Sequence, residues 1–127
     1  FGSISPTITR LEHSRCEAVI KDRRAVRNHI GGVHAIALCN LAELCAGVMT
    51  DASLPKDMRW IPKGMTVEYL KRAKGRLHAT ATPMTPIISS TAGYDLPVNV
   101  DVLDASGDKV FHAEIRMWMS PKPSKAG

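Results

Sequence analysis

One carboxylate stands in the most apolar stretch of this sequence. Residues 34–49 are Ala, Leu, Ile, Cys, Val and Met, interrupted only by His34, Asn40, Glu43 and Gly47. Burying a carboxylate without a partner is costly. Charged groups in such surroundings are enriched in active sites, where they act as general bases or nucleophiles. A structural acid at a subunit interface or in solvent explains Glu43 equally well.

Two further polar positions lie near this acid in the sequence. Asn40 precedes Glu43 by one helical turn, so a helix places both on one face. Its amide could orient the carboxylate or a water molecule, or it could be satisfied at an interface. Asn28 and His29 lie upstream, where an amide can donate or accept a hydrogen bond, although turn formation is the commoner role of Asn near glycines.

The segment before the apolar stretch predicts an anion-binding helix start. The pair Gly31-Gly32 and His34 lead into the first turn, where backbone N–H groups are unpaired and the helix dipole is positive. Such a terminus can hold a developing oxyanion, and the glycines allow a ligand to approach closely. Every helix has such an end, and His34 is more often structural there, because the dipole disfavours a proton on it.

Other chemistries find little support. Cys39 and Cys45 lie within the apolar stretch, where thiols are usually buried and inert. The three cysteines have neither a disulfide nor a zinc-binding spacing. The sequence has no Gly-x-Ser-x-Gly elbow and no cluster of metal ligands. Four basic residues within 71–76 could meet phosphates or form a solvated hairpin tip.

The elements that position these residues follow from periodicity. The stretch His34–Met49 lacks period-two alternation and is rich in helix formers, which predicts a helix buried on nearly all sides. Alternating segments around it predict strands and turns. The predicted strands are Arg10–Lys21, Gly64–Lys71, Arg76–Thr82, Leu96–Leu103 and Lys109–Met119, with a loop over Asp22–Val33, turns at 74–75 and 105–108, and a disordered tail over 121–127. The sequence therefore predicts an α+β fold, in which a five-stranded antiparallel sheet wraps one long central helix within a single domain.

The amino-acid composition limits the classes of molecule that the protein is expected to bind. The net charge of +5 and the pI of about 9.4 favour anionic partners. Aromatic residues make up only 5%, which is too few for base stacking, and no nucleic-acid-binding signature occurs, so a phosphorylated small molecule is preferred over nucleic acid. The sequence lacks a membrane-spanning run, a signal pattern and a disulfide framework, which predicts a cytoplasmic protein.

The residues around the acid resemble a known family, the hotdog thioesterases related to the phenylacetyl-CoA thioesterase. Its loop-plus-helix signature has an Asn in the loop, a His-Gly-Gly helix start and an Asp or Glu on the helix; Asn28, His34 and Glu43 match this spacing. The similar segments are Asn28-His29-Ile30-Gly31-Gly32-Val33-His34-Ala35, Leu38-Cys39-Asn40-Leu41-Ala42-Glu43, 62–75 and 110–121. The resemblance covers roughly residues 10–121, the expected ordered core.

The resemblance implies a homodimer or homotetramer with active sites between subunits. One subunit would supply the loop and helix start, and the other would supply the acid. The backbone N–H of Ala35 would polarise the thioester carbonyl, Glu43 would act as nucleophile or general base, and Asn28 would position the water or the carboxylate. The substrate-binding residues would be His29, Gly32, His34 and Asn40. No cofactor or metal is implied.

Two departures from the family pattern concern the reaction itself. The His-Gly-Gly start is His34-Ala35-Ile36 here, which crowds the approach of a carbonyl, and the acid is Glu rather than the commoner Asp. The expected function is hydrolysis of an acyl-CoA or acyl-carrier thioester. The alternative is a hotdog protein that binds acyl-CoA or fatty-acyl ligands without catalysis. A hydratase is less favoured, because the loop lacks the Asp-x-x-x-x-His pair of hotdog hydratases.

Overall fold

The structure, a computed structural model, describes residues 6–20, 35–71 and 75–123. Six strands within these ranges form one sheet in the order β1-β2-β4-β5-β6-β3, and each neighbouring pair is antiparallel. The elements are β1 (Thr7–Glu12), β2 (Arg15–Ile20), α1 (Ala35–Ser53), β3 (Met58–Tyr69), β4 (Leu77–Pro83), β5 (Tyr94–Leu103) and β6 (Lys109–Pro121). The predicted loop Asp22–Val33 lies outside the described residues.

The predicted α+β class is confirmed, but the sheet has six strands rather than five. Residues 10–20 of the segment predicted as one strand, Arg10–Lys21, instead belong to the hairpin of β1 and β2, and Lys21 lies outside the described residues. The chain reverses at Ser14, whose φ of 64° lies in the left-handed region. The Ser14 N–H donates a 2.7 Å hydrogen bond to the Ser53 hydroxyl at the end of α1. This contact stabilises a turn that the local sequence does not announce with Gly or Pro.

Helix α1 packs one face against the sheet and leaves the other open. The packed face repeats at three- and four-residue intervals, as expected for an amphipathic contact. Its buried residues are Ala37, Leu38, Leu41, Ala42, Cys45, Ala46 and Met49. Asn40, Glu43 and Leu44 are exposed on the other face. The sequence predicts a helix that is buried on nearly all sides. Within a single copy of the chain this prediction is wrong, because the sheet covers only one side of α1.

The helix also continues one turn beyond the predicted end at Met49. Thr50 is fully buried, and its hydroxyl donates a 2.8 Å hydrogen bond to the Ala46 carbonyl, which satisfies the polar group inside the core. The helix ends at Ser53, shortly before Pro55, because proline cannot supply the N–H that a longer helix needs.

Strand β3 begins six residues earlier than the predicted strand at Gly64. It passes through Pro62, which lacks an N–H donor and is tolerated because β3 lies at an edge of the sheet. The register with β6 shifts between Pro62 and Gly64, a β-bulge that leaves Lys63 without an opposed residue. β6 is also longer than predicted: Pro121, placed in the disordered tail from sequence, pairs with Met58.

The predicted strands β4, β5 and β6 agree closely with the structure. In β6 the residues predicted to share one face are all buried: Phe111, Ala113, Ile115, Met117 and Met119. The predicted turn at 105–108 is confirmed. Gly107 has a φ of 85°, and the Asp104 carboxylate accepts hydrogen bonds from the N–H groups of Ser106 and Asp108 at 2.9 and 3.3 Å. Within the described ranges, no helix combines the length and apolarity needed to cross a membrane.

Candidate functional site

The open face of α1 borders a cavity of about 220 Å³ between the helix and the edge of the sheet. Glu43 is the charged residue of its wall; the rest is almost entirely apolar. The lining residues are Glu43, Trp60, Pro62, Gly64, Met65, Ile115 and Met117. A carboxylate beside an apolar cavity is an arrangement in which electrostatic interactions are stronger than in water.

The register of β3 and β6 explains why these residues meet. Pro62 pairs with Met117, and Met65 pairs with Ile115, so the two strands contribute matched pairs to one wall. The bulge at Lys63 changes the alternation of β3, so that Pro62, Gly64 and Met65 all line the cavity. Without the extra residue, strict alternation would turn Met65 to the opposite side from Pro62.

The structure brings together two of the predicted site residues. Asn40 and Glu43 are both exposed and lie one turn apart on α1, as their spacing predicts. Within the described residues, no side chain makes a hydrogen bond to the Glu43 carboxylate. The Glu43 side chain is exposed and lines the cavity.

The remaining predicted residues belong to the start of the helix or precede it. Ala35 is the first residue of α1, where the backbone N–H groups of the first turn have no intrahelical acceptor. Along the helix axis it lies about 12 Å from Glu43. Asn28, His29, Gly32 and His34 lie outside the described residues.

Two side-chain bridges that the sequence analysis did not anticipate connect α1 to β3. At one end, the indole N–H of Trp60 donates a 2.7 Å hydrogen bond to the Asp51 carboxylate. At the other end, the Tyr69 hydroxyl lies 3.2 Å from the Cys39 thiol, and this contact, followed by burial, raises the pKa of Tyr69. A recognisable signal was the alternation Met58-Arg59-Trp60-Ile61, which indicates a strand that begins before Pro62.

The surroundings of the three cysteines bear on the prediction that none of them is a nucleophile. Cys45 and Cys16 are fully buried, and burial raises the pKa of both thiols, which keeps them protonated and unreactive. Cys39 is only partly buried, because it lies beside Tyr69 at the border of the open face.

The basic turn proposed for phosphates is described only in part. Lys71 forms a 2.6 Å ion pair with Asp108, which raises the pKa of Lys71. Arg76 is exposed, whereas residues 72–74 lie outside the described ranges. In the part of the chain that the structure describes, no group of three His, Cys, Asp or Glu side chains could hold a metal ion.

Solved structures share this architecture over nearly the whole chain. A structural-genomics protein designated APC5556 is 48% identical, with a TM-score of 0.84 and coverage of 93% of this chain and 78% of that one. A hypothetical thioesterase from Streptococcus pneumoniae TIGR4, solved with coenzyme A, is 17% identical, with a TM-score of 0.78 and coverage of 94% and 89%. The thioesterase HI1161 from Haemophilus influenzae is 13% identical, with a TM-score of 0.78 and coverage of 96% and 82%.

These likenesses and the sheet-and-helix arrangement define the class of fold: the chain has the hotdog fold, as the resemblance predicted. Residues 1–119 match the family model described as Domain of unknown function (DUF4442), and the chain belongs to that family. No functionally curated protein matches it.

Proposed function

We propose that this protein hydrolyses the thioester of an acyl-CoA or acyl-carrier substrate, with Glu43 as the catalytic acid-base residue. The observation that carries the proposal is the position of Glu43, an exposed carboxylate in the wall of an otherwise apolar cavity. An acyl group can occupy the cavity while its carbonyl remains next to the carboxylate. The fold shared with proteins named thioesterases supports the same reaction class.

The reaction needs a base for water and a donor for the oxyanion. The Glu43 carboxylate takes a proton from water as the water oxygen bonds to the carbonyl carbon. The carbonyl oxygen becomes an oxyanion, which the Ala35 N–H at the positive end of α1 stabilises. The C–S bond then breaks, and the thiolate leaves with the proton that Glu43 holds. The products are a free thiol and a carboxylic acid, which releases its proton to the solvent as it becomes a carboxylate. In this mechanism Asn40, one turn from Glu43, orients the water.

Helix geometry supports a site that two subunits share. Both the base and the oxyanion donor must lie within about 3 Å of the reacting groups. Ala35 and Glu43 of one chain are about 12 Å apart along the helix axis, so a single carbonyl does not reach both. A second copy that contributes its helix start, together with Asn28, meets the requirement.

The surface around the cavity also favours self-association into a homodimer, on which a homotetramer could be built. In the described sheet, β3 pairs with β6 on one side only, and its other edge is free. Leu44, next to Glu43 on α1, is an exposed apolar side chain, and Ile61 is exposed on the face of β3 that points away from the cavity. An unpaired strand edge beside apolar side chains is a template for pairing with a second chain.

The test is thiol release measured with purified protein and short-, medium-, long-chain and aromatic acyl-CoAs. We expect Glu43→Gln, which keeps the shape but removes the base, to lower kcat/KM by about 10²–10⁴-fold. The matched control is Glu12→Gln, the same chemical change on β1 at the opposite edge of the sheet, which should leave activity unchanged. Full activity in Glu43→Gln would exclude Glu43 as the catalytic residue.

Subunit complementation tests the shared site separately. Glu43→Gln and Asn28→Ala are each expected to be inactive. If each site takes these two residues from different subunits, a hybrid dimer keeps one intact site, and random mixing restores about a quarter of the wild-type activity. No recovery in hybrids of demonstrated composition would place both residues in one subunit.

A protein that binds acyl ligands without hydrolysis is the second candidate. It is favoured by Ala35 at a position where the resembling family has Gly, because the added methyl crowds the carbonyl. Saturable binding of acyl-CoA, with no thiol release from any substrate of the panel, would favour this candidate over the enzyme.

A further inference from the structure

The cavity beside Glu43 has a fixed end, formed by Trp60. This half-buried side chain lies across the groove from β3 towards the C-terminal half of α1. Gly47 follows Glu43 by one turn, and a Cβ atom there would lie 3.5 Å from the edge of the Trp60 ring. Asp51, one turn further, accepts the indole hydrogen bond. The ring therefore lies between about 6 and 12 Å from Glu43 along the helix axis.

Three features keep the indole in this position. The Asp51 carboxylate holds its N–H at 2.7 Å. Gly47 presents no side chain, so the ring can approach the helix to van der Waals distance. Trp60 also belongs to the paired part of β3, opposite Met119, which is fully buried. A ring fixed from both the helix and the sheet is a wall rather than a mobile lid.

The size of the cavity limits what fits between Glu43 and this wall. An apolar protein cavity of about 150 Å³ accommodates benzene. By proportion, the 220 Å³ here corresponds to an acyl group of roughly nine carbon atoms. The apolar side chains of Met65, Ile115 and Met117 suit an alkyl or aryl group and offer no partner for a polar one.

We infer that Trp60 sets the acyl-chain length of the substrate and restricts the protein to short and medium alkyl or small aryl thioesters. The inference rests on the proposed function, because it places the thioester at Glu43 and the acyl group in the cavity. Asp51 acts as a positioning residue, since it holds the indole without reaching the acyl group.

The experiment compares chain-length profiles of the wild type and Trp60→Leu, with hexanoyl-, octanoyl-, phenylacetyl-, dodecanoyl- and palmitoyl-CoA. The wild type should prefer the first three. Trp60→Leu should raise the ratio of kcat/KM for dodecanoyl-CoA to that for hexanoyl-CoA by about tenfold or more, since each methylene that an apolar pocket accepts changes kcat/KM to this extent. Trp60→Phe, which keeps a ring, should shift the ratio less.

A second pair of variants tests the hydrogen bond that holds the indole of Trp60 on Asp51. Asp51→Ala removes the acceptor of the indole hydrogen bond and should broaden the profile in the same direction as Trp60→Leu. Asp51→Asn keeps an acceptor oxygen and should retain the wild-type profile. This pair tests the inference even if Trp60→Leu does not fold, because the indole itself is retained.

The possible results separate the inference from the proposed function. Equal turnover of palmitoyl- and octanoyl-CoA by the wild type overturns the inference and leaves hydrolysis established. An unchanged profile in folded Trp60→Leu does the same. If the wild type releases no thiol, hydrolysis is excluded, and calorimetric affinities for the same ligands replace the rates. A preference for octanoyl-CoA that Trp60→Leu abolishes then supports the inference, whereas no preference or no binding overturns it.

Discussion

The two faces of α1 contain similar side chains but meet different surroundings. On the sheet side, Leu41 and Cys45 are fully buried in a core that leaves no buried polar side-chain atom unpaired among the described residues. On the other side, Leu44 is 37% exposed and Glu43 borders an open cavity. The comparison indicates that the closed face supplies stability, while the open face carries the residues of the proposed site.

The largest effect on stability is expected on the closed face. Leu41→Ala should lower the free energy of unfolding by about 2–5 kcal/mol, because it removes buried methyl groups and leaves a cavity in the core. Chemical denaturation followed by circular dichroism measures the change. Activity per folded molecule should stay near the wild-type value, and a loss below about 1 kcal/mol would contradict the assignment of Leu41 to a well-packed core.

Leu44→Ala is the matched substitution on the open face. In a single chain it should change the free energy of unfolding by no more than about 0.5 kcal/mol, as is usual at exposed positions. If two copies meet along this face, the loss grows with protein concentration, because the association adds to stability by mass action. Denaturation at several concentrations, together with sedimentation, distinguishes the two cases. A large loss that is independent of concentration would show that the two faces do not differ as described.

Acid sensitivity sharpens the comparison, because the groups that control stability and activity differ. Burial alone would raise the pKa of Asp101, but hydrogen bonds from His112 and Asn99 and the nearby Lys109 lower it overall. A lowered pKa contributes stability above the unfolded value of about 4, and this contribution is lost as the pH falls through the folded value.

Asp101→Asn should therefore remove up to about 1 kcal/mol of stability at neutral pH and flatten the loss of stability below about pH 4. The pH profile of kcat/KM should not change, because Asp101 lies on β5 and does not line the cavity that contains Glu43. Thermal melts and rate profiles over the same pH range provide the measurement. A shifted rate profile would link the outer face of the sheet to the site.

The smallest effect is expected at Gly47. A Cβ atom there would meet only the Trp60 ring, at the ordinary contact distance of 3.5 Å. Gly47→Ala should raise the free energy of unfolding by up to about 1 kcal/mol, since Ala favours the helix by that amount. The chain-length profile should be retained. A destabilised variant would mean that the groove is tighter than the structure indicates.

Much of the fold follows from short-range patterns, and so does part of the site. Alternation identifies β4, β5 and β6 within a few residues, because one face of each strand is apolar and buried. Helical spacing places Asn40 and Glu43 on one face. The hairpin at Ser14 and the passage of β3 through Pro62 could not be predicted in this way. Both depend on distant partners: the Ser53 hydroxyl in one case and the edge position beside β6 in the other.

The sequence by itself determined that an acid lies on an apolar helix beside an antiparallel sheet, because helix and strand periodicities are local properties of the chain. It did not determine which side of that helix is open. A stretch that is apolar on nearly all sides has no preferred buried face, so the position of the sheet decides it. The tertiary structure alone placed Trp60 across the groove from Glu43, because that contact joins residues from separate elements through Gly47 and Asp51.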